Sequence, residues 1–276
     1  MFTLNCKGKI FKIETPVVMG IINATPDSFY EGHLSLPNEG ILALAKKMIG
    51  EGAAILDIGG QSTRPGSKRV TAEEEIKRII PIIKNIRASF PQILISADTY
   101  HSAVAIAAVQ EGANIINDIS AGEMDTAMIQ TVSSLKVPYI CMHMKGEPES
   151  MHKAPIYDDV LREVFDFFIG KTNECKRAGI TDVIIDPGFG FGKTISHNFQ
   201  LLQELNLFNV FGNPVLAGLS RKSTVYRTLN ISPQEALNGT TVLNTLAIQN
   251  GAAILRVHDV REAVEVIKLM SAFKKV

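Results

Sequence analysis

The sequence predicts a (β/α)8 TIM barrel with a short N-terminal β-hairpin, in one domain over residues 1–276. Three observations predict it. Three stretches share one design: EGAAILDIGG (51–60), EGANIINDIS (111–120) and NGAAILRVHD (250–259). Each reads as a helix end, a glycine in the left-handed C-cap turn, then a short apolar strand that ends in polar residues. Apolar runs without alternation suit strands buried on both faces of a parallel sheet. Eight such strands can be traced, and 276 residues then give 34.5 per βα unit, the size of a closed barrel. An open doubly wound sheet is the competing fold, but it usually needs fewer units.

The elements follow in order. FTLNCKGKIFKIE alternates around Lys7-Gly8 and predicts a hairpin closing the barrel floor. The strands are placed at 16–22, 54–58, 93–98, 114–119, 138–143, 182–186, 214–219 and 253–258. Between them run amphipathic helices. In 71–90, Ala72, Ile76, Ile79, Ile80, Ile83 and Ile86 trace one face, and Thr71 with Glu74 has capping-box spacing. Segment 155–178 repeats the pattern through Val160, Val164 and Phe168, and 259–274 through Val260, Ala263 and Ile267.

Composition excludes several functions. Lys and Arg number 28 and so do Asp and Glu, so no global field attracts nucleic acid or an anionic membrane. No apolar run reaches the length of a transmembrane helix, and the N-terminus lacks the pattern of a signal peptide. Cys6, Cys141 and Cys175 are far apart in sequence and odd in number. They suggest neither a zinc site nor a disulfide framework, and fit reduced thiols in a cytoplasmic protein.

In a barrel, chemistry collects where strands end. Read in order, the strand ends give Asn23, Asp57, Asp98, Asn117, His143, Asp186, Ser220-Arg221-Lys222, and Arg256 with His258. One Asp there can simply cap the next helix. Polar groups at nearly every strand end are harder to dismiss, since a buried charge needs a partner. DPGFGFGKT (186–194) resembles a phosphate loop but fails on spacing, with Pro187 and Lys193 where glycines are required. It reads instead as a tight turn passing close to a ligand. GGQSTRPGS (59–67) could present Arg64 to an anion. His33, His101, His152 and His197 read as surface or capping residues, and His143 as a core candidate. No spacing signals zinc or a serine hydrolase.

These motifs resemble one family. NATPDSF (23–29), DIGGQSTRPG (57–66), ADT (97–99), INDIS (116–120), MHMKGEP (142–148), DPGFGFGK (186–193), GLSRKS (218–223) and RVHD (256–259) resemble the dihydropteroate synthases, in order and over nearly the whole chain. The resemblance implies a homodimeric transferase of folate biosynthesis. It would join 6-hydroxymethyl-7,8-dihydropterin pyrophosphate to 4-aminobenzoate with Mg2+, and it would be a sulfonamide target. It assigns pterin binding to Asp57, Asp98, Asn117, Met142, Asp186, Phe191, Gly218, Lys222 and Arg256. It assigns pyrophosphate to Asn23, Thr63, Arg64, Arg256 and His258, with Asn23 also on the metal. It assigns 4-aminobenzoate to Pro65, Phe191, Ser220 and Lys222, and catalysis to Asp27, Phe29, Arg64 and Lys222. The chain departs from the family pattern at Tyr30-Glu31-Gly32-His33, where Ser-Asp-Gly-Gly is usual, and at Gln61, where Glu is usual. Two other readings share the pterin-reading residues: a barrel methyltransferase acting on methyltetrahydrofolate, and a non-catalytic pterin binder. The first has no need of STRPG or SRK. The second would be expected to lose Arg64, Lys222 or His258.

Overall fold

The computed structural model describes residues 1–24, 39–61, 69–146 and 155–273. It opens with the hairpin, β1 (Phe2–Cys6) and β2 (Lys9–Ile13). Lys7 and Gly8 both take positive φ, 56° and 85°, the geometry of the two-residue turn that matches the twist of paired strands.

The barrel follows. Its strands are β3 (Val17–Asn23), β4 (Ile55–Gly59), β5 (Leu94–Asp98), β6 (Ile115–Asp118), β7 (Tyr139–Met142), β8 (Val183–Asp186), β9 (Leu216–Ala217) and β10 (Ile254–Val257). All neighbouring pairs are parallel, in the order β8-β7-β6-β5-β4-β3-β10-β9. A bridge from Ile185 to Val215 joins the two ends of that order. Expectation and structure agree on every strand. The largest difference is β9, two residues against an expected 214–219; at its start Pro214 has no N–H for a ladder.

Nine α-helices are described: α1 (Glu39–Glu51), α2 (Ala72–Ser89), α3 (Ser102–Gln110), α4 (Met128–Leu135), α5 (Val160–Ala178), α6 (Ile195–Gln203), α7 (Ser223–Leu229), α8 (Leu237–Gln249) and α9 (Val260–Phe273). Thr71 caps α2 by accepting the Glu74 N–H, as its spacing predicts. The glycines of the three repeats, Gly52, Gly112 and Gly251, all take positive φ between helix and strand. No helix among the described residues is long and apolar enough to cross a membrane.

Alternation along the strands sorts side chains into two cores. Leu56, Ile58, Ile95, Ala97, Ile116, Ile185, Leu255 and Val257 point outward and pack under the helices. Ile55, Leu94, Ile115, Ile140, Ile184, Leu216 and Ile254 point inward at the strand starts and pack with Leu4, Cys6 and Ile13 of the hairpin. The hairpin therefore closes the barrel floor, as expected. Asn5 N–H donates to Asp182, Lys7 Nζ to the Val109 carbonyl and Lys9 Nζ to Gln92, so the plug is tied to the rim. All three cysteines are free and buried. Cys141 lies on β7 and Cys175 on α5.

Candidate active site

Two residues beyond each inward apolar side chain, the same alternation presents the next inward position. There stand Asp57 after Ile55, Ser96 after Leu94, Asn117 after Ile115, Met142 after Ile140, Asp186 after Ile184, Gly218 after Leu216 and Arg256 after Ile254. One register thus explains both the dry floor and the polar layer above it.

The polar layer is cross-linked. Arg256 Nε donates to Asp57 Oδ2 and its Nη2 to Asp98 Oδ2, each at 2.6 Å. Asn117 Nδ2 donates to the same Asp57 oxygen at 3.0 Å. Asp57 is fully buried, and its Oδ1 has no hydrogen-bond partner; neither has Ser96 Oγ on the paired position of the next strand. Burial works against the Arg256 charge, but Asp57 and Asp98 outweigh it and hold the guanidinium protonated. Burial pushes Asp98 up to about 7 against the pull of Arg256, with Asp57, Asp118 and Asp186 adding to the rise.

A cavity opens above this layer. Asp98, Asn117, Ile119, Met142, Asp186, Phe191, Gly218, Lys222 and Arg256 line it. Asp186 Oδ1 accepts the Gly188 N–H at 2.8 Å, which fixes the carboxylate plane. Burial raises the Asp186 pKa, and Lys222, Arg256 and Lys193 oppose the rise. Lys222 Nζ donates to the Phe189 carbonyl at 2.6 Å and lies 4.7 Å from the Phe191 ring centre. Burial lowers its pKa to about 8. Gly218 lines the cavity beside Lys222 and Arg256. The result is a pocket with an apolar wall of Ile119, Met142 and Phe191, and an edge of carboxylates, an amide and two cations. Such an edge suits a flat heterocycle with several donors and an acceptor on one side.

Most of the predicted pterin set is therefore brought together. Asp57 stands behind the cavity, holding Arg256 and Asn117, and does not line it. Ser220 and His258 meet at the mouth, with Ser220 Oγ 3.0 Å from His258 Nδ1. Desolvation of its ring among Arg256, Arg221 and Lys222, with the Arg256 charge next, lowers the His258 pKa, although the residue as a whole is exposed. Asn23 ends β3 with its side chain exposed, away from the cavity lining. Asp27, Phe29, Thr63, Arg64 and Pro65 lie outside the described residues, as do His33, His152 and the departure at residues 30–33. Gln61 is described: its Oε1 accepts from Val70 N–H at 3.3 Å and Tyr100 OH at 2.9 Å.

Sequence reasoning missed three buried groups. Asp118 points away from the barrel axis and takes Ser120, Gly122 and Tyr139 OH, which makes it a turn anchor. Glu75, in the first turn of α2, is 1% exposed. Its position on the α2 face beside Ile79 was the available signal. Lys193, which served only to reject a phosphate-loop pattern, is buried with His143. His197, read as a capping residue, closes a capping box with Thr194 at the start of α6.

Residues 19–258 match the family model described as pterin binding enzyme. The chain is 42% identical to the dihydropteroate synthase of Escherichia coli K12 over 273 residues, covering 98% of this chain and 95% of that protein. It belongs to the dihydropteroate synthase family. That membership makes the chain a transferase of the synthase type and sets aside the methyltransferase and non-catalytic readings. The fold agrees over its full length. The Yersinia pestis dihydropteroate synthase, solved as a sulfonamide drug complex, superposes with a TM-score of 0.95 at 37% identity, covering 100% of both chains. The Xanthomonas albilineans dihydropteroate synthase in complex with 7,8-dihydropteroate does so with a TM-score of 0.90 at 38% identity, again over 100% of both chains.

Proposed function

We propose that this synthase condenses 6-hydroxymethyl-7,8-dihydropterin pyrophosphate with 4-aminobenzoate, forming 7,8-dihydropteroate and pyrophosphate in folate biosynthesis. The observation that carries the reading is the cavity in which Asp186, Asn117, Lys222 and Arg256 converge. A pterin presents an amine and a ring N–H together, and a carboxylate accepts two such donors. Asp186 takes that pair, and Asn117 and Asp98 take the remaining edge. Lys222 donates to the carbonyl and the adjacent ring nitrogen. Arg256, its guanidinium plane held by Asp57 and Asp98, stacks on the ring face. Met142 packs against the ring.

The diphosphate binds at the mouth, to Asn23, Thr63, Arg64, Arg256 and His258. Among the described residues no group of three or more His, Cys, Asp or Glu side chains could cage a metal. The Asn23 side-chain oxygen would be the protein ligand of Mg2+, a hard cation that takes oxygen donors. When bound, it neutralises charge on the leaving group. The substitution is dissociative: the C–O bond breaks first, and the arylamine then attacks the carbocation-like methylene, which the electron-rich dihydropterin stabilises. A neutral arylamine needs no strong base, so the residues orient the partners and stabilise developing charge. Pro65, Phe191, Ser220 and Lys222 hold the 4-aminobenzoate, with Asp27, Phe29, Arg64 and Lys222 acting nearest the reacting atoms.

We read residues 1–276 as one pterin-binding domain, since hairpin and barrel share one packed floor. A cytoplasmic homodimer completes the reading: three buried free thiols suit a reducing compartment, and exposed Leu229, Val242 and Leu246 on α7 and α8 offer apolar surface. Pyrophosphate release, measured with and without 4-aminobenzoate and Mg2+, tests the activity. Release stimulated by both is expected; absence of release, or indifference to Mg2+, would reject it. A secondary deuterium effect at the methylene tests the order of bond breaking. A value near unity counts against the cation.

A further inference from the structure

Lys193 ends the glycine-rich turn after β8, and its side chain runs back beneath that turn. Its Nζ lies 2.9 Å from His143 Nδ1, 3.0 Å from the Gly188 carbonyl, 3.1 Å from the Phe191 carbonyl and 3.2 Å from the His143 carbonyl. The residue is 7% exposed. One ammonium has three N–H bonds, so four acceptors converge on a group that has no spare donor. Burial lowers the Lys193 pKa to about 7 against the pull of Asp186; in its charged form Lys193 donates to Nδ1, which puts the proton of the neutral imidazole on Nε2. Burial, with the Lys193 charge next, depresses the His143 pKa to about 2, in keeping with that form.

The contacts tie two strand ends together. His143 follows β7, whose last residue Met142 lines the cavity. Gly188 and Phe191 belong to the turn that carries Asp186 at one end. Other side chains hold the turn at single points: Lys222 Nζ on the Phe189 carbonyl, Tyr157 OH on the Gly192 carbonyl and Asn198 Oδ1 on the Gly190 N–H. Gly188, Gly190 and Gly192 all take positive φ, at 69°, 81° and 61°. A Cβ on Gly188 would land on the His143 carbonyl and one on Gly192 on the Lys145 carbonyl, so only glycine lets the turn lie so close to the chain after β7. Three glycines in five residues also leave the turn conformationally free once nothing pins it. Among the described residues, the Lys193 ammonium is the side-chain group that bonds the Gly188 and Phe191 carbonyls at once. It does not line the cavity.

We infer that Lys193 is a positioning residue of the synthase. By drawing the Gly188 and Phe191 carbonyls onto His143, its ammonium sets the spacing between the Asp186 carboxylate and the Phe191 ring across the pterin pocket. This rests on the reading of that cavity as the pterin site, and the test separates the two.

Lys193→Met keeps an unbranched chain as far as the Cε position and removes every donor. Binding of 6-hydroxymethylpterin is measured by calorimetry, KM for both substrates by steady-state assay, and amide hydrogen exchange in the ligand-free enzyme. In the variant, exchange should rise in residues 186–192 and stay unchanged in β4 and β5. Pterin affinity should fall about tenfold or more, the scale of a lost charged hydrogen bond. The loss should be non-additive with Phe191→Leu in a double-mutant cycle, because both act on one wall. If Lys193→Met folds poorly, Lys193→Arg carries the same measurements. The planar guanidinium keeps the charge but cannot place its donors on four converging acceptors, so the pterin KM should again rise. Unaltered exchange in 186–192, wild-type pterin affinity, or strict additivity with Phe191→Leu would overturn the role of Lys193. A wild-type enzyme that binds no pterin, with the exchange change still present, would overturn the cavity assignment and leave the pinning of the turn supported.

Discussion

Arg256 reaches Asp57 through Nε and Asp98 through Nη2, both at 2.6 Å, so one guanidinium bridges carboxylates from two adjacent strands. Asp57 is fully buried, and Arg256 sits largely inside the barrel with it. Arg256→Met would leave two acids without their cation in a poorly solvated layer. The expected loss of stability is about 3–5 kcal/mol, the usual cost of breaking a buried pair from one side. Urea unfolding measures it. An unchanged midpoint would mean that the pair adds nothing to the folded state.

Asp186→Ala removes the acceptor at the base of the pocket while leaving Lys222 and Arg256 in place. Pterin affinity should fall by about two orders of magnitude, from the loss of two charge-assisted hydrogen bonds. Calorimetry with 6-hydroxymethylpterin decides the point. Retained binding would remove Asp186 from the pterin edge.

Glu75 should make stability depend on pH. Burial, aided by the Asp98 charge, pushes its pKa from 4.5 to about 8, against a smaller pull from the Thr99 hydroxyl. Between those two values the folded chain keeps a proton that the unfolded chain has released. Stability should therefore fall as pH rises from 4.5 to about 8. Glu75→Gln, which cannot ionise, should flatten that slope and raise the melting temperature most at the alkaline end. Parallel slopes in the two proteins would show that other groups control it.

Arg64→Ala should spare binding of pterin alone and weaken 4-aminobenzoate capture and turnover, because the proposed reading assigns Arg64 of the STRPG motif to the anionic partners. A steady-state comparison of the two KM values, with calorimetry for pterin, tests the split. Unchanged turnover would remove Arg64 from the reaction.

The barrel was legible because its signals are local. The glycine before each repeat strand, the apolar runs and Thr71 at the head of α2 each follow from backbone preference. The ring of site residues was legible because a polar side chain at the inner end of a buried strand conflicts with core packing, and Asp57, Asn117, Asp186 and Arg256 all do so. Lys193 was not legible: it is a charged residue in a glycine-rich segment, and only the tertiary path of the chain buries it. Glu75 was signalled only by its place on the α2 face beside Ile79, where a carboxylate ordinarily reads as solvated. Arg221 shows the same limit. It stands between Ser220 and Lys222 in the SRK motif, yet its guanidinium is bidentate to Asp259 at 2.8 Å and its φ is 53°. It braces the loop from outside while its neighbours face inward.

The plug formed by Leu4, Cys6 and Ile13 has a consequence for traffic through the enzyme. With the far end stoppered, the barrel is a blind alley, and whatever settles against Asp186 must come and go by the door that its reaction partner uses. On the proposed reading of the site, the heterocycle that sits deepest enters before the arylamine, and the joined product backs out with its pterin end last.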